Sequence, residues 1–346
     1  MENNRIVAVH GSYFADNYGD TLLVRILCDM AAAHVGRSNV FLAVEGDERE
    51  LQDIGYPVVP KDKRDQVTHL LFGGGGYFGE RSSKLLDNVK WSIRNYRRHL
   101  AWTGSFTNAR RAVIGAGFGP ISNKLLRMKV RSFMQSAELV LVRDAESLKF
   151  MQAYKISHRN SGTCVDLALS LPIADHTRSG VALHIDNFST QEMDEVFQGL
   201  AAASMHISHV DVIFDNKPSD TVESRLKYAQ AATNAGLAEC NFFPYTGVDS
   251  LVARVATYEL VVTSKLHVGI TTIAQGGRAI AIPGHQKTIR LYKQLALERF
   301  CISRSRLQRN VLTEAVDDLA SYAPDRSVIA EGLGRVEAAL STFLVK

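Results

Sequence analysis

Val261-Val262-Thr263-Ser264-Lys265-Leu266-His267-Val268 changes character halfway along its length. The β-branched run Val261-Val262-Thr263 reads as a short buried strand. It breaks at Ser264, and from Leu266 to Ala274 the apolar residues recur at helical spacing. Ser264, Lys265 and His267 therefore stand where a strand ends and a helix begins. In open α/β sheets, ligands bind in the crevice beyond the carboxyl ends of the strands. Backbone N–H groups at a helix start favour anions. A hydroxyl, an ammonium and an imidazole gathered there suit an acidic small molecule. Read blandly, the same three residues are a helix cap, a solvated lysine and a satisfied core histidine.

Outward from this stretch, strands and helices alternate. Strands are expected at 181–185, 210–214, 239–243 and 279–282, with helices at 190–205, 220–235, 249–257 and 289–297. The N-terminal half repeats the pattern, with strands at 6–10, 40–44, 66–72, 111–114 and 139–142. Its helices are expected at 21–34, 82–102, 124–136 and 145–154, the first capped by Asp20. Such alternation implies parallel, doubly wound sheets. Around residues 171–180, Pro172, Asp175, Thr177, Ser179 and Gly180 interrupt the periodicity. The expected division is a Rossmann-like domain over 1–174 and a second over 175–346, facing one another across a cleft. The second domain carries a helical C-terminal tail from about residue 312.

The 346 residues, 46% hydrophobic and 22% charged, suffice for two cores. A net charge of +4 is too small for a nucleic-acid footprint, but it favours phosphorylated or carboxylated substrates and an anionic membrane surface. Cys28, Cys164, Cys240 and Cys301 form no C-x-x-C pair, so neither a metal site nor a disulfide framework is expected. A cytoplasmic protein, working at the inner face of the membrane, fits this composition and the absence of any apolar run near 18 residues.

Further candidates cluster at predicted strand ends. Gly74-Gly75-Gly76-Tyr77-Phe78-Gly79 follows a strand and fits G-x-G-x-x-G. No acidic residue follows at the distance of about 20 that a dinucleotide site needs. Gly115-Ala116-Gly117-Phe118-Gly119-Pro120 follows the next strand, and the two loops, with Gly117 at the centre of the second, are expected to line one crevice. Asn17-Tyr18-Gly19-Asp20 lies at the same end, where Asp16 or Asp20 would activate a hydroxyl. Arg143, after the strand at 139–142, offers a fork for carboxylate or phosphate, and Asp144 would cap the next helix. Lys287 is a further cation beside a loop.

Taken in order, these pieces resemble the polysaccharide pyruvyl transferase family over roughly residues 9–297. The elements are Asn17-x-Gly19-Asp20, Gly73 to Gly76, Gly115 to Pro120, Val142-Arg143-Asp144 with Ser147, Cys164-Val165-Asp166, Ser264-Lys265-Leu266-His267, and Ile282 with Lys287. The resemblance implies a GT-B-like two-domain fold and transfer of a pyruvyl group from phosphoenolpyruvate to sugar hydroxyls, usually as a cyclic ketal in cell-surface polysaccharide. It implies no cofactor beyond phosphoenolpyruvate as co-substrate, and a saccharide acceptor that is lipid-linked. Arg143 and Lys265, with Ser264 and Lys287, match donor-binding positions. The family usually has Arg where Lys265 stands, and a Tyr where Pro283-Gly284 stands.

On this reading His267 delivers a proton to the methylene carbon, since an imidazole of ordinary pKa about 6.5 holds one at working pH. Asp20 or Asp16 takes the acceptor's proton. Acceptor specificity is expected in residues 45–63 and 79–90, the least patterned loops. A nucleotide-sugar glycosyltransferase of the same fold and a non-catalytic carbohydrate-binding relative are the competing readings.

Overall fold

The computed structural model describes residues 5–14, 17–79, 85–175, 177–238 and 240–345. The chain divides into two compact units, each built on one parallel sheet. The first comprises residues 1–16, 20–167 and 327–346; the second comprises 17–19 and 168–326.

In the first unit, strands β1 (Val7–His10), β2 (Val40–Leu42), β3 (His69–Gly73), β4 (Arg110–Ala116), β5 (Leu139–Val142) and β6 (Ser161–Thr163) pair in the order β2-β1-β3-β4-β5-β6. Helices α1 (Tyr18–Val35), α2 (Glu48–Ile54), α3 (Leu85–His99), α4 (Lys124–Ser136) and α5 (Ala145–Ala153) connect them. Strands β1 and β3 are buried along their whole length, as a sheet covered on both faces requires. The edge strand Ser161–Thr163 and the helix Glu48–Ile54 escape the sequence reading, because each is short and polar and shows no period. The strand order reverses between β1 and β3, which places the crevice of this sheet at His10 and Gly73.

The second unit pairs β7 (Val181–His184), β8 (Val210–Ile213), β9 (Cys240–Phe243), β10 (Leu260–Thr263) and β11 (Arg278–Ala281) in the order β11-β10-β7-β8-β9. Its helices are α6 (Thr190–Ala201), α7 (Val222–Asn234), α8 (Val248–Ala256), α9 (Leu266–Ala274), α10 (Gln286–Gln294) and α11 (Arg309–Asp317). All five strands fall where the sequence places them, and Glu239, expected to open β9, lies outside the described residues. Here the order reverses between β7 and β10. Thr263 is in register with His184 across that junction.

The tail behaves differently from the expectation. Helix α12 (Arg326–Val345) was expected with the second domain, but residues 327–346 belong to the first unit, which otherwise ends at Leu167. Phe343 packs edge-on against His69 and accepts, through its carbonyl, a hydrogen bond from Arg110. Gly332 lies so close to Val165 that a Cβ would sit 2.4 Å from its methyl carbon. The helical pattern of the tail was legible, but which core it covers depends on contacts far apart in sequence.

His10 closes β1 inside an aromatic box of Tyr13, Phe72, Tyr77 and Trp102, with Nε2 2.9 Å from His99 Nδ1. Burial, and then the neighbouring His99, hold the His10 pKa well below its ordinary value. The unfolded chain therefore binds a proton at His10 that the native chain refuses. Stability is full above about pH 6.5 and falls with acidification by about 1.4 kcal/mol per pH unit, until the native pKa is reached. His10→Phe is expected to flatten this acid limb in urea-unfolding series, and an unchanged slope would contradict it.

Candidate functional site

The switch point of the second sheet gathers the polar side chains. Ser264 follows β10, donates its backbone N–H to the His184 carbonyl, and accepts the Asp186 N–H on its Oγ at 3.0 Å. The two strand ends are thereby stitched together. Lys265 comes next and extends its Nζ to 3.4 Å from both carboxylate oxygens of Asp215 and from Asp186 Oδ2. His184 Nε2 lies 3.2 Å from Asp215 Oδ1, and its Nδ1 lies 3.3 Å from Thr263 Oγ1. Burial alone would push the Asp215 carboxyl up. His184 and Lys265 outweigh it and hold Asp215 well below the usual carboxylate range, so it stays ionised.

Lys265 is the N-cap of α9 and its side chain makes no capping bond, while its own N–H donates to Thr263 Oγ1 at 3.0 Å. A Ser or Asp at the N-cap would ordinarily make such a bond. The lysine thus stands over a helix N-terminus that is suited to an anion. Its side chain is 38% exposed, while those of His184 and Asp215 are buried. A buried pair thus holds a half-exposed cation in place.

His267 occupies the first turn of α9 and is buried. Its ring lies directly over Gly19, where a Cβ would fall 1.8 Å from Nδ1. Tyr18 reinforces the contact with a 2.7 Å bond between its hydroxyl and Thr271 Oγ1. The glycine of Asn17-x-Gly19-Asp20 is therefore required by the histidine of Ser264-Lys265-Leu266-His267. Asn17, not Asp20, caps α1, since its Oδ1 accepts the Gly19 N–H at 3.1 Å. Asp20 sits buried in the first turn.

The glycine loops of the first unit serve another end. Gly117 N–H donates to the Gly75 carbonyl, Gly119 N–H donates to Phe78, and Phe78 pairs with Phe118 as a parallel bridge. A Cβ on Gly79 would lie 2.9 Å from the Gly119 carbonyl. The two loops are zipped together, while most of their other glycines make room for side chains: Leu27 at Gly73, Leu23 at Gly74, Leu167 at Gly115 and Phe150 at Gly119. Gly74 and Gly75 also take positive φ, and a Cβ on Gly75 would meet Asp20 Oδ1 at 2.9 Å. Gly76 is exposed, with open space around it.

Arg143 corrects an expectation. Read as a fork open to a donor carboxylate or phosphate, it is buried, with Nη1 3.1 Å from Asp166 Oδ2, itself fully buried. Gly117 leaves room for the guanidinium, since a Cβ there would fall 2.9 Å from Nη2. Asp144 caps α5 as expected, accepting the Ser147 N–H at 2.7 Å. Lys287 is exposed in the first turn of α10, after β11 and at the same end of the sheet as Lys265. Asp16 and residues 80–84 of the loop expected to read the acceptor lie outside the described residues.

His184, Asp186 and Asp215 were missed by sequence reasoning. The signal was present, since each ends or follows a predicted strand, as Ser264 does.

Solved structures of low sequence identity share the fold of this chain. A putative UDP-N-acetylglucosamine 2-epimerase from Listeria monocytogenes superposes with a TM-score of 0.61 at 8% identity, over 98% of this chain and 96% of that one. The UDP-GlcNAc 2-epimerase from Neisseria meningitidis, solved bound to UDP-GlcNAc, also gives 0.61 at 8% identity, covering 99% of each chain. The corresponding epimerase from Rickettsia bellii gives 0.55 at 10% identity, over 99% and 96%. At such identities the likeness defines the fold alone, a GT-B-like α/β architecture. A comparison with curated proteins returns no match. Residues 17–286 match the family model described as polysaccharide pyruvyl transferase, and the chain belongs to that family of transferases.

Proposed function

We propose that the protein transfers a pyruvyl group from phosphoenolpyruvate to a pair of saccharide hydroxyls. The observation that carries this reading is Lys265, fixed by the buried Asp215–His184 pair over the start of α9, with His267 in the same turn. A carboxylate or phosphate of the donor shares Lys265 and the α9 N–H groups, while Ser264 and Lys287 supply outer contacts from the same sheet end. Arg143, committed to Asp166, preserves the first unit and is not counted among the donor ligands.

The chemistry balances without a redox partner. An acceptor hydroxyl attacks C2 while His267 delivers a proton to C3, which becomes a methyl group. Asp20, next in the chain after Gly19, accepts the hydroxyl proton. The C2–O bond to phosphate then breaks, and a second hydroxyl closes the ketal with loss of its proton. The acceptor is a cell-surface polysaccharide precursor on a lipid carrier, modified at the inner face of the membrane.

A nucleotide-sugar glycosyltransferase is the second reading. It is favoured by the fold and by a cavity of about 230 Å³ beside β7 and β8, lined by His184, Asp186, Phe188, Phe214, Ser219 and Tyr228. The two are separated by ligand and product. Millimolar phosphoenolpyruvate is expected to raise the melting temperature in a concentration-dependent way. Phosphate release is expected only with a saccharide acceptor present, and in deuterated solvent the product methyl should carry one deuterium. Stabilisation by UDP-GlcNAc, with none by phosphoenolpyruvate, would favour the second reading.

A further inference from the structure

Helix α3 packs Trp91 and Tyr96 against the core but also buries a polar stripe. Asn88, Ser92, Asn95 and His99, spaced along one helical stripe, are buried, and Asn95 donates its amide to the Tyr77 carbonyl. The outward face carries Val89 and Ile93, 41% and 52% exposed. Helix α4 packs beside it, the Asn88 amide reaching Ser122 Oγ in the segment before α4, and exposes Leu125 and Met128 even further. Single exposed apolar residues need no explanation. Four on two adjacent helices, one of which turns its amides inward, do.

Their surroundings are cationic. The sequences of α3 and α4 contain eight Lys and Arg against the single Asp87. That excess is larger than the net charge of the whole chain, so the remainder is net acidic. Lys90, Arg94, Arg97, Arg98, Lys124 and Lys129 are exposed. Among the described residues, no helix is long and apolar enough to cross a membrane.

We infer that the α3–α4 face docks onto an anionic lipid bilayer, with Val89, Ile93, Leu125 and Met128 entering the interface and the flanking cations meeting lipid phosphates. Apolar residues rimmed by Lys and Arg are the pattern of an interfacial helix. A second copy of this face is a poor occupant, because a two-fold pairing would set like charges against each other. The inference deepens the lipid-carrier reading of the acceptor, but its test uses neither substrate, so either can fail alone.

The test is co-flotation of the full-length protein with phosphatidylcholine vesicles, with and without phosphatidylglycerol. Binding is expected only with phosphatidylglycerol, and should weaken as salt screens the cations. Leu125→Glu/Met128→Glu, at exposed positions, should lower partitioning by at least roughly tenfold, given what each buried methylene contributes. Lys124→Gln/Lys129→Gln should do so while keeping the apolar residues, and circular dichroism verifies folding of both variants. No binding, equal binding to neutral vesicles, or unaltered binding by both variants would overturn the proposal. So would loss, in these variants, of a dimer seen by sedimentation, which would assign the face to a second copy.

Discussion

His267→Asn is expected to lower turnover by about 100-fold or more, the ordinary effect of losing a general acid. Phosphoenolpyruvate should still bind, because Lys265 and the start of α9 are untouched. The ring also fills the space over Gly19, so some loss of stability is expected alongside. The discriminating comparison is therefore turnover per folded molecule against donor affinity. A folded variant with near wild-type turnover would reduce His267 to a packing residue that explains Gly19 and nothing more.

Arg143→Ala should act on the fold. Removing the guanidinium takes its ion-pair partner from the fully buried carboxylate of Asp166, and breaking a buried pair from one side typically costs about 3–5 kcal/mol. The midpoint of urea unfolding should fall accordingly, with donor affinity of the remaining native protein unchanged. Replacing both partners by apolar residues of similar size should restore much of the loss, since no charge is then left unpaired. Unchanged stability with weakened phosphoenolpyruvate binding would contradict this and return Arg143 to the donor site.

The contrast between these two residues shows what could be read from the chain. His267 and Lys265 were legible because strand Leu260–Thr263 and helix Leu266–Ala274 differ in local period, and the junction falls between them. The strands of both sheets, apart from the edge strand Ser161–Thr163, were legible for the same reason. Arg143 sits at an equivalent junction, yet its partner Asp166 lies 23 positions on, beyond any local pattern. The same holds for Lys265 and Asp215, 50 positions apart, and for α12, whose period was plain and whose core was not. The glycine loops show the limit most clearly. Their composition announced a close approach, but the approaching partners proved to be the other loop's backbone at Gly79 and side chains such as Asp20, Arg143 and Phe150 at Gly75, Gly117 and Gly119. Residue type thus marked the strand–helix junctions, and long-range pairing decided which of their cations are buried in ion pairs.

The central claim is that Lys265 holds the donor at the switch point of the second sheet. Calorimetric titration of phosphoenolpyruvate into the wild type, Lys265→Gln and Lys265→Arg tests it most directly. Loss of one charge-assisted contact, about 1.5–3 kcal/mol, should weaken binding to the Gln variant by at least roughly tenfold. The Arg variant should keep or improve affinity, because its fork suits a carboxylate or phosphate. Equal affinity in wild type and Lys265→Gln, or no phosphoenolpyruvate binding beside clear binding of UDP-GlcNAc, would contradict the account.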